Sequence, residues 1–392
     1  MPYESKIVAG KEARNEGTSL GVGRLVHVFH DVSRSERIGA ADDVTERLGR
    51  NIVVSVYYPA ETGSQEHARG YDQVFSPCGA QAMEMLQEMG ADTDLLASLP
   101  SVVFNSAEPC AMVHPCPVIV LAPAFGITGD MYTFLVQELV KQGLVVVAIS
   151  TVGESMFTVL PDGQFRRQAQ ALRDIESTDG KRWNDLLETR VADILYVTAN
   201  LSELARYFPD SFIRYHQVGL VGHSLGGAAV VEALQRESAV RFYAAMLFDP
   251  SFHLMEMYNE LGIDIPLLLM RQEACTREEL QPLFSEQVLE PFIQGYKDLY
   301  FGLTGFRSSL KVQGAGHMTF SDIPVLFNEG DVTGVQQVIS RAAIAFVREF
   351  VQGQHLAYRN EMATTGLIGE VLFEIDALGH DDPGQCWSVQ AF

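Results

Sequence analysis

Short runs of β-branched and aliphatic residues recur along the chain, separated by segments of helix length. Residues 24–30 and 51–59 predict two early strands, read as an antiparallel pair, and residues 117–122, 144–150, 216–222, 242–248, 265–270 and 309–313 predict six more. The later runs are apolar at odd and even positions alike, as strands covered on both faces require. Between them, residues 130–142 open on an aspartate cap and place apolar side chains three and four apart, and residues 186–207, 225–236 and 338–351 keep the same period. Strand alternating with helix implies an α/β class protein with a doubly wound, mostly parallel sheet of about eight strands.

Two stretches interrupt this alternation. Residues 60–116 separate two strands by far more than an ordinary connection; within them residues 81–90 have helical spacing, with Met83, Leu86 and Met89 near one face. Residues 152–185 form a second long, charged connection. Both are expected to be cap or lid insertions at the carboxyl edge of the sheet. The expected organisation is an N-terminal arm (1–23), one α/β domain (24–355) and a C-terminal extension (356–392) packed on the body.

Composition narrows the class. Of the 392 residues, 47% are apolar and 20% charged, which excludes a disordered, collagen-like or coiled-coil chain. A net charge of −22 opposes binding to nucleic acid or anionic lipid. The five cysteines are scattered, with no C-x-x-C pair, and are too few for a disulfide framework. The first seventeen residues lack the apolar core of a secretory signal, and no apolar run approaches the roughly 20 residues of a transmembrane helix. The expectation is a soluble cytoplasmic protein, with no transmembrane segment and a homodimer left open.

The sharpest chemical signal is Gly222-His223-Ser224-Leu225-Gly226, preceded by an apolar strand and followed by a helix-like run. A strand turning sharply into a helix exposes one side chain at the sheet edge, and the glycines permit the strained turn. Ser224 is therefore the candidate nucleophile, at a helix N-terminus that favours negative charge. A serine hydroxyl needs a base, and in such folds the chain order is serine, acid, histidine. Asp249 closes the next strand, 25 residues on, and Asp264 is its nearest rival. His317 lies in a glycine-bearing loop after the last predicted strand, with His253 the alternative base. His223 is expected to pack beside the serine without reaching it. His27 and His30 face opposite ways in a strand, which excludes a paired metal site on one face. The candidate oxyanion-hole donors are the N–H groups of Leu225, after the nucleophile, and of Phe125, in the loop of residues 123–128. No H-E-x-x-H motif, clustered Cys/His spacing or glycine-rich phosphate loop is present, so neither a metal nor a cofactor is expected.

Four segments in this order resemble the plasma-type platelet-activating factor acetylhydrolases and the related microbial lipases and polyester hydrolases. NIVVSVYYPAE is similar to the family's early strand, PVIVLAPAFG to the strand entering its oxyanion loop, GHSLGGA to its nucleophile elbow, and Gly316-His317 followed by Ser321-Asp322 to its histidine segment. The resemblance covers roughly residues 25–355. It implies an α/β-hydrolase fold, a Ser224–Asp249–His317 triad, no metal, and esters of short or oxidised acyl chains as substrates. Pro123-Ala124 stand where the family has His-Gly, and alanine is disfavoured at positive φ. The family's charged segment after the next strand is replaced by Ser150-Thr-Val-Gly-Glu154. Two other readings stand beside a serine esterase: a biosynthetic thioesterase, hydrolase or cyclase acting on a polyketide-like small molecule, and a hydrolase-fold binding protein with an inactive triad.

Overall fold

The computed structural model describes residues 20–36, 47–61, 70–99, 103–176, 179–236, 238–254, 262–364 and 366–382. Twelve strands are found among them: β1 Leu20–Glu36, β2 Arg47–Glu61, β3 Phe104–Asn105, β4 Cys116–Ala122, β5 Val145–Ser150, β6 Phe157–Val159, β7 Phe165–Arg167, β8 Ile213–His223, β9 Phe242–Phe248, β10 Leu267–Arg271, β11 Arg307–Val312 and β12 Leu372–Glu374. Ten form one sheet in the order β12-β11-β10-β9-β8-β4-β5-β2-β1-β3, and β6 and β7 form a separate hairpin. The six strands from β11 to β5 are mutually parallel, whereas β2 runs antiparallel to β5 and to β1.

The alternation of side chains assigns each strand to two cores. In β5, Val145, Val147 and Ile149 pack on one face and Val146 and Ala148 on the other. Helices Thr133–Lys141 and Thr333–Phe350 cover the first core, and Gly180–Ala199, Leu225–Gln235 and Glu286–Gly302 the second. Each fully buried Val, Leu or Ile side chain contributes about 1.5–3 kcal/mol relative to exposure.

The sheet has ten strands where the hydrophobic runs predicted about eight. The additions, β3 and β12, are edge strands of two and three residues. Segments this short carry no readable period. β12 lies beyond residue 355: within the expected C-terminal extension, a helix (Ala357–Thr364) and β12 pack on the body, with β12 antiparallel to β11. At the other end, β1 begins at Leu20, and the rest of the expected N-terminal arm lies outside the described residues.

After β4 the chain builds β5 on one side of it and later β8 on the other, so the connections leaving β4 and β8 diverge at their carboxyl ends. That divergence opens the crevice in which such sheets bind ligands. The two expected insertions meet each other near this edge. Phe75 packs against Phe157 with ring centroids 5.1 Å apart, and the Cys78 thiol donates to the Gly163 carbonyl over 3.2 Å. The first insertion is tied down by the Tyr71 hydroxyl, which donates to Asp322 at 2.6 Å, and by Arg24, which donates to the Ser76 carbonyl at 2.9 Å. No helix among the described residues is long and apolar enough to cross a membrane.

Candidate active site

At the end of β8 the chain turns into helix Leu225–Gln235 through Ser224, whose φ of 55° and ψ of −122° are rarely tolerated by a side-chain-bearing residue. Such a conformation costs on the order of 1–3 kcal/mol and persists only where the surroundings impose it. A Cβ on Gly226 would lie 2.2 Å from the Ala122 carbonyl oxygen, and one on Gly222 would lie 2.4 Å from the Gly226 oxygen. Both glycines are thus required by close backbone approach. The turn is fixed by Ser224 N–H donating to Phe248 O and by Ser251 N–H donating to Ser224 O, each at 3.0 Å.

Asp249 follows β9 directly, also at positive φ (41°), with its N–H donating to Met270 O at 2.7 Å. Its carboxylate accepts from the Gln272 N–H at 3.3 Å and from His317 Nδ1 at 2.6 Å. Burial would push this carboxyl up. The hydrogen bond and charge of His317, the charge of Arg271 and the Gln272 N–H outweigh burial and hold it below the ordinary carboxylate value. His317 opens a 3₁₀ turn (His317–Phe320) after β11 and places Nε2 3.0 Å from Ser224 Oγ. Three side chains from distant parts of the chain therefore form one hydrogen-bonded line. With Nδ1–H donated to Asp249, Nε2 is left as an acceptor for the Ser224 hydroxyl.

The two rivals stand apart from this line. Asp264 precedes β10 and so lies at the amino edge of the sheet, opposite Asp249. His253 packs on Phe284 and Phe292, and burial lowers its pKa to about 4.

The loop after β4 supplies the third part. Gly126, at φ 77°, takes the positive-φ position, and Ala124 stays out of that region, so an alanine in place of the family's glycine strains nothing there. The N–H groups of Phe125 and Leu225 make no hydrogen bond among the described residues. The Phe125 ring meets Trp183 edge-on, with centroids 4.9 Å apart.

Several further side chains surround this line. The Ser251 hydroxyl lies 3.1 Å from Ser224 Oγ, and because the serine proton points to His317, Ser251 is the donor. His223 is fully buried. Its Nε2–H donates to the His317 carbonyl and its Nδ1 accepts from the Tyr132 hydroxyl, both at 2.9 Å, while Tyr132 accepts from Ala124 N–H at 2.8 Å. Burial above all, with the neighbouring His317, lowers the His223 pKa to about 3. Arg190 and Glu154, both buried, pair behind the loop, and Arg190 donates to the carbonyls of Pro123 and Ala124. Arg271, 1% exposed, rests 3.6 Å over the Tyr296 ring, and its three guanidinium nitrogens meet no acceptor among the described residues. Of these, His223 stands inside the Gly222–Gly226 motif and was expected beside the serine, and Ser251 lies two positions after Asp249; Tyr132, Arg190 and Arg271 stand near no motif.

Comparison with known proteins agrees with this architecture. The sequence model of platelet-activating factor acetylhydrolase, isoform II, matches residues 187–349, less than half of the chain but a span that includes Ser224, Asp249 and His317. Among solved structures, a ferulic acid esterase from Streptomyces cinnamoneus is similar at 25% identity, with a TM-score of 0.63, over 87% of this chain and 92% of that one. No curated protein matches the sequence. The chain has an α/β-hydrolase fold, and both likenesses support a carboxylic ester hydrolase.

Proposed function

We propose that the chain cleaves a short-acyl carboxylic ester through an acyl-enzyme on Ser224. The observation that carries this reading is the unbroken line Ser224–His317–Asp249, with contacts of 3.0 and 2.6 Å. His317 takes the hydroxyl proton as Ser224 Oγ bonds to the ester carbonyl carbon. Asp249 fixes the imidazole tautomer and balances its charge. The N–H groups of Phe125 and Leu225 receive the oxyanion. Collapse of the tetrahedral adduct breaks the bond to the alcohol, which leaves with the proton from His317. Water then attacks the acyl-enzyme, with His317 as base, and releases the acid.

A short acyl group is supported by the acetylhydrolase family match and by the closed surroundings of the serine, which is 8% exposed. In the neighbouring loop after β4, the Phe125 ring packs edge-on against Trp183. The test is hydrolysis of p-nitrophenyl acetate against p-nitrophenyl decanoate, with fluorophosphonate labelling. The wild type should label once, at Ser224, and prefer the acetate. Ser224→Ala should lose about 10⁴–10⁶ in kcat and all labelling. Ester hydrolysis that survives Ser224→Ala would end the assignment, and preference for the decanoate would end the short-acyl part of it.

A further inference from the structure

We propose that Arg190, held by Glu154, is a positioning residue for the oxyanion loop: it pulls the loop's carbonyls backward so that the Phe125 N–H is presented to the substrate. This rests on the ester-hydrolase reading above and goes beyond it in assigning a role to a residue pair outside the triad.

The geometry is specific. Arg190 lies in helix Gly180–Ala199 and is 3% exposed, and Glu154, in the turn after β5, is 1% exposed. Arg190 Nε donates to both carboxylate oxygens at 3.0 Å, and Nη2 donates to Oε1 as well. The remaining donors of the same guanidinium reach forward: Nη1 to the Pro123 carbonyl, and Nη2 to the Ala124 carbonyl at 3.2 Å. One planar cation thus faces a carboxylate on one side and two successive loop carbonyls on the other, which the five-donor fork of arginine permits and a lysine does not.

A trans peptide holds its C=O and the following N–H on opposite sides of the chain. The carbonyl of Ala124 and the N–H of Phe125 belong to one such peptide. With that carbonyl held by Arg190 and, at 3.2 Å, by the Ile127 N–H of the same loop, the Phe125 N–H points away from the clamp. The preceding peptide is spoken for at both ends, its carbonyl by Arg190 and its N–H, on Ala124, by the Tyr132 hydroxyl at 2.8 Å. Phe125 is left with the uncommitted donor. Hydrogen bonding to the carbonyl also polarises the peptide and strengthens its N–H as a donor. The pair has a structural cost: two buried charges gain little over apolar packing, while removing one partner alone strands the other ion in the interior. A device that returns so little in stability is better accounted for by what it orients.

The experiment removes both charges together. Arg190→Met/Glu154→Leu avoids stranding an ion in the interior, and Arg190→Lys keeps the ion pair but loses the fork. Active serines are counted by fluorophosphonate titration, and thermal unfolding reports the fold. The double variant should remain folded, with kcat per titrated serine down about 10²–10³, the loss expected for one oxyanion donor. KM should stay within about threefold, and the inhibition constant of an alkyl boronic acid, which mimics the tetrahedral adduct, should rise by the same factor as kcat falls. Arg190→Lys should fall about tenfold in kcat. A folded double variant with wild-type kcat and boronate affinity overturns the positioning role alone. A loss confined to KM, or to the fraction of serines that titrate, overturns it too. A wild type that neither labels nor hydrolyses esters overturns the ester-hydrolase reading, and the positioning role with it.

Discussion

Two segments converge on Ser224 from neighbouring strands, and they are built by opposite means. The elbow after β8 is shaped by exclusion: Gly222 and Gly226 stand where any Cβ would meet backbone at 2.4 and 2.2 Å, and both glycines fall within five consecutive residues. The loop after β4 has a turn of its own, with Gly126 at φ 77° and the Ile127 N–H on the Ala124 carbonyl at 3.2 Å, but its first two peptides are also held from outside. Arg190 and Glu154 hold its carbonyls from behind, and Tyr132 takes the N–H of Ala124. A shape imposed by steric exclusion leaves a local signature of glycines. A shape imposed by hydrogen bonds from far along the chain leaves none.

That contrast can be broken at several points. The largest effect after loss of the nucleophile or the clamp should come from Gly226→Ala. Its methyl would press on the Ala122 and Pro123 carbonyls, 2.2 and 2.5 Å away, and would therefore damage the elbow and the loop together. We expect about 10² lost in kcat, as for a displacement of about 1 Å at a reacting centre, and about 1–3 kcal/mol in stability by urea unfolding. Wild-type kinetics in this variant would show that the two segments are not in register. A smaller effect is expected for Tyr132→Phe, which leaves the Ala124 N–H and His223 Nδ1 without partners. Loss of about 1–3 kcal/mol in stability and roughly tenfold in kcat should follow. If kcat does not change, the link from the loop to the His317 backbone carries no functional weight.

The smallest effect is a pH dependence. His223 has a pKa of about 3 in the folded chain, against an ordinary value of 6.5. Between those values the unfolded chain binds a proton that the folded chain refuses, so stability falls as pH drops below 6.5 and is unaffected above it. From pH 7.5 to 5.5 the wild type should lose about 1.4 kcal/mol more in unfolding free energy than His223→Gln. Asp249 works in the same direction at lower pH. Its lowered pKa stabilises the fold above the ordinary carboxylate value of 3.8, and that contribution disappears as pH falls through the lower folded value. Equal losses in wild type and His223→Gln over that interval would show that His223 is not held neutral by its burial.

What could be read from the sequence follows the same division between local and distant causes. The six parallel strands and four of the five helices that cover them were legible, because a strand covered on both faces is apolar at odd and even positions alike, as β5 is from Val145 to Ile149; the fifth helix, Glu286–Gly302, which carries Pro291 inside it, was not. Ser224 was legible from its glycines, Asp249 from closing a strand, and His317 from its place after β11. Arg190 was not, because a charged residue within a long helix reads as a solvated face; only its burial reveals that this one points inward. Nor was Arg271, which lies at the end of an apolar strand and is compensated by a ring and a carboxylate far along the chain. The edge strands β3 and β12, at two and three residues, were too short to show a period.

The clamp on the loop after β4 has a consequence for how such a chain diversifies. It grips only main-chain oxygens, so nothing in it depends on which amino acid occupies position 125. Phe125 turns its ring toward Trp183 while its amide is set by the peptide plane behind it. Mutation at position 125 can therefore resize or repolarise the surface there and leave the hydrogen bonds that orient the amide untouched.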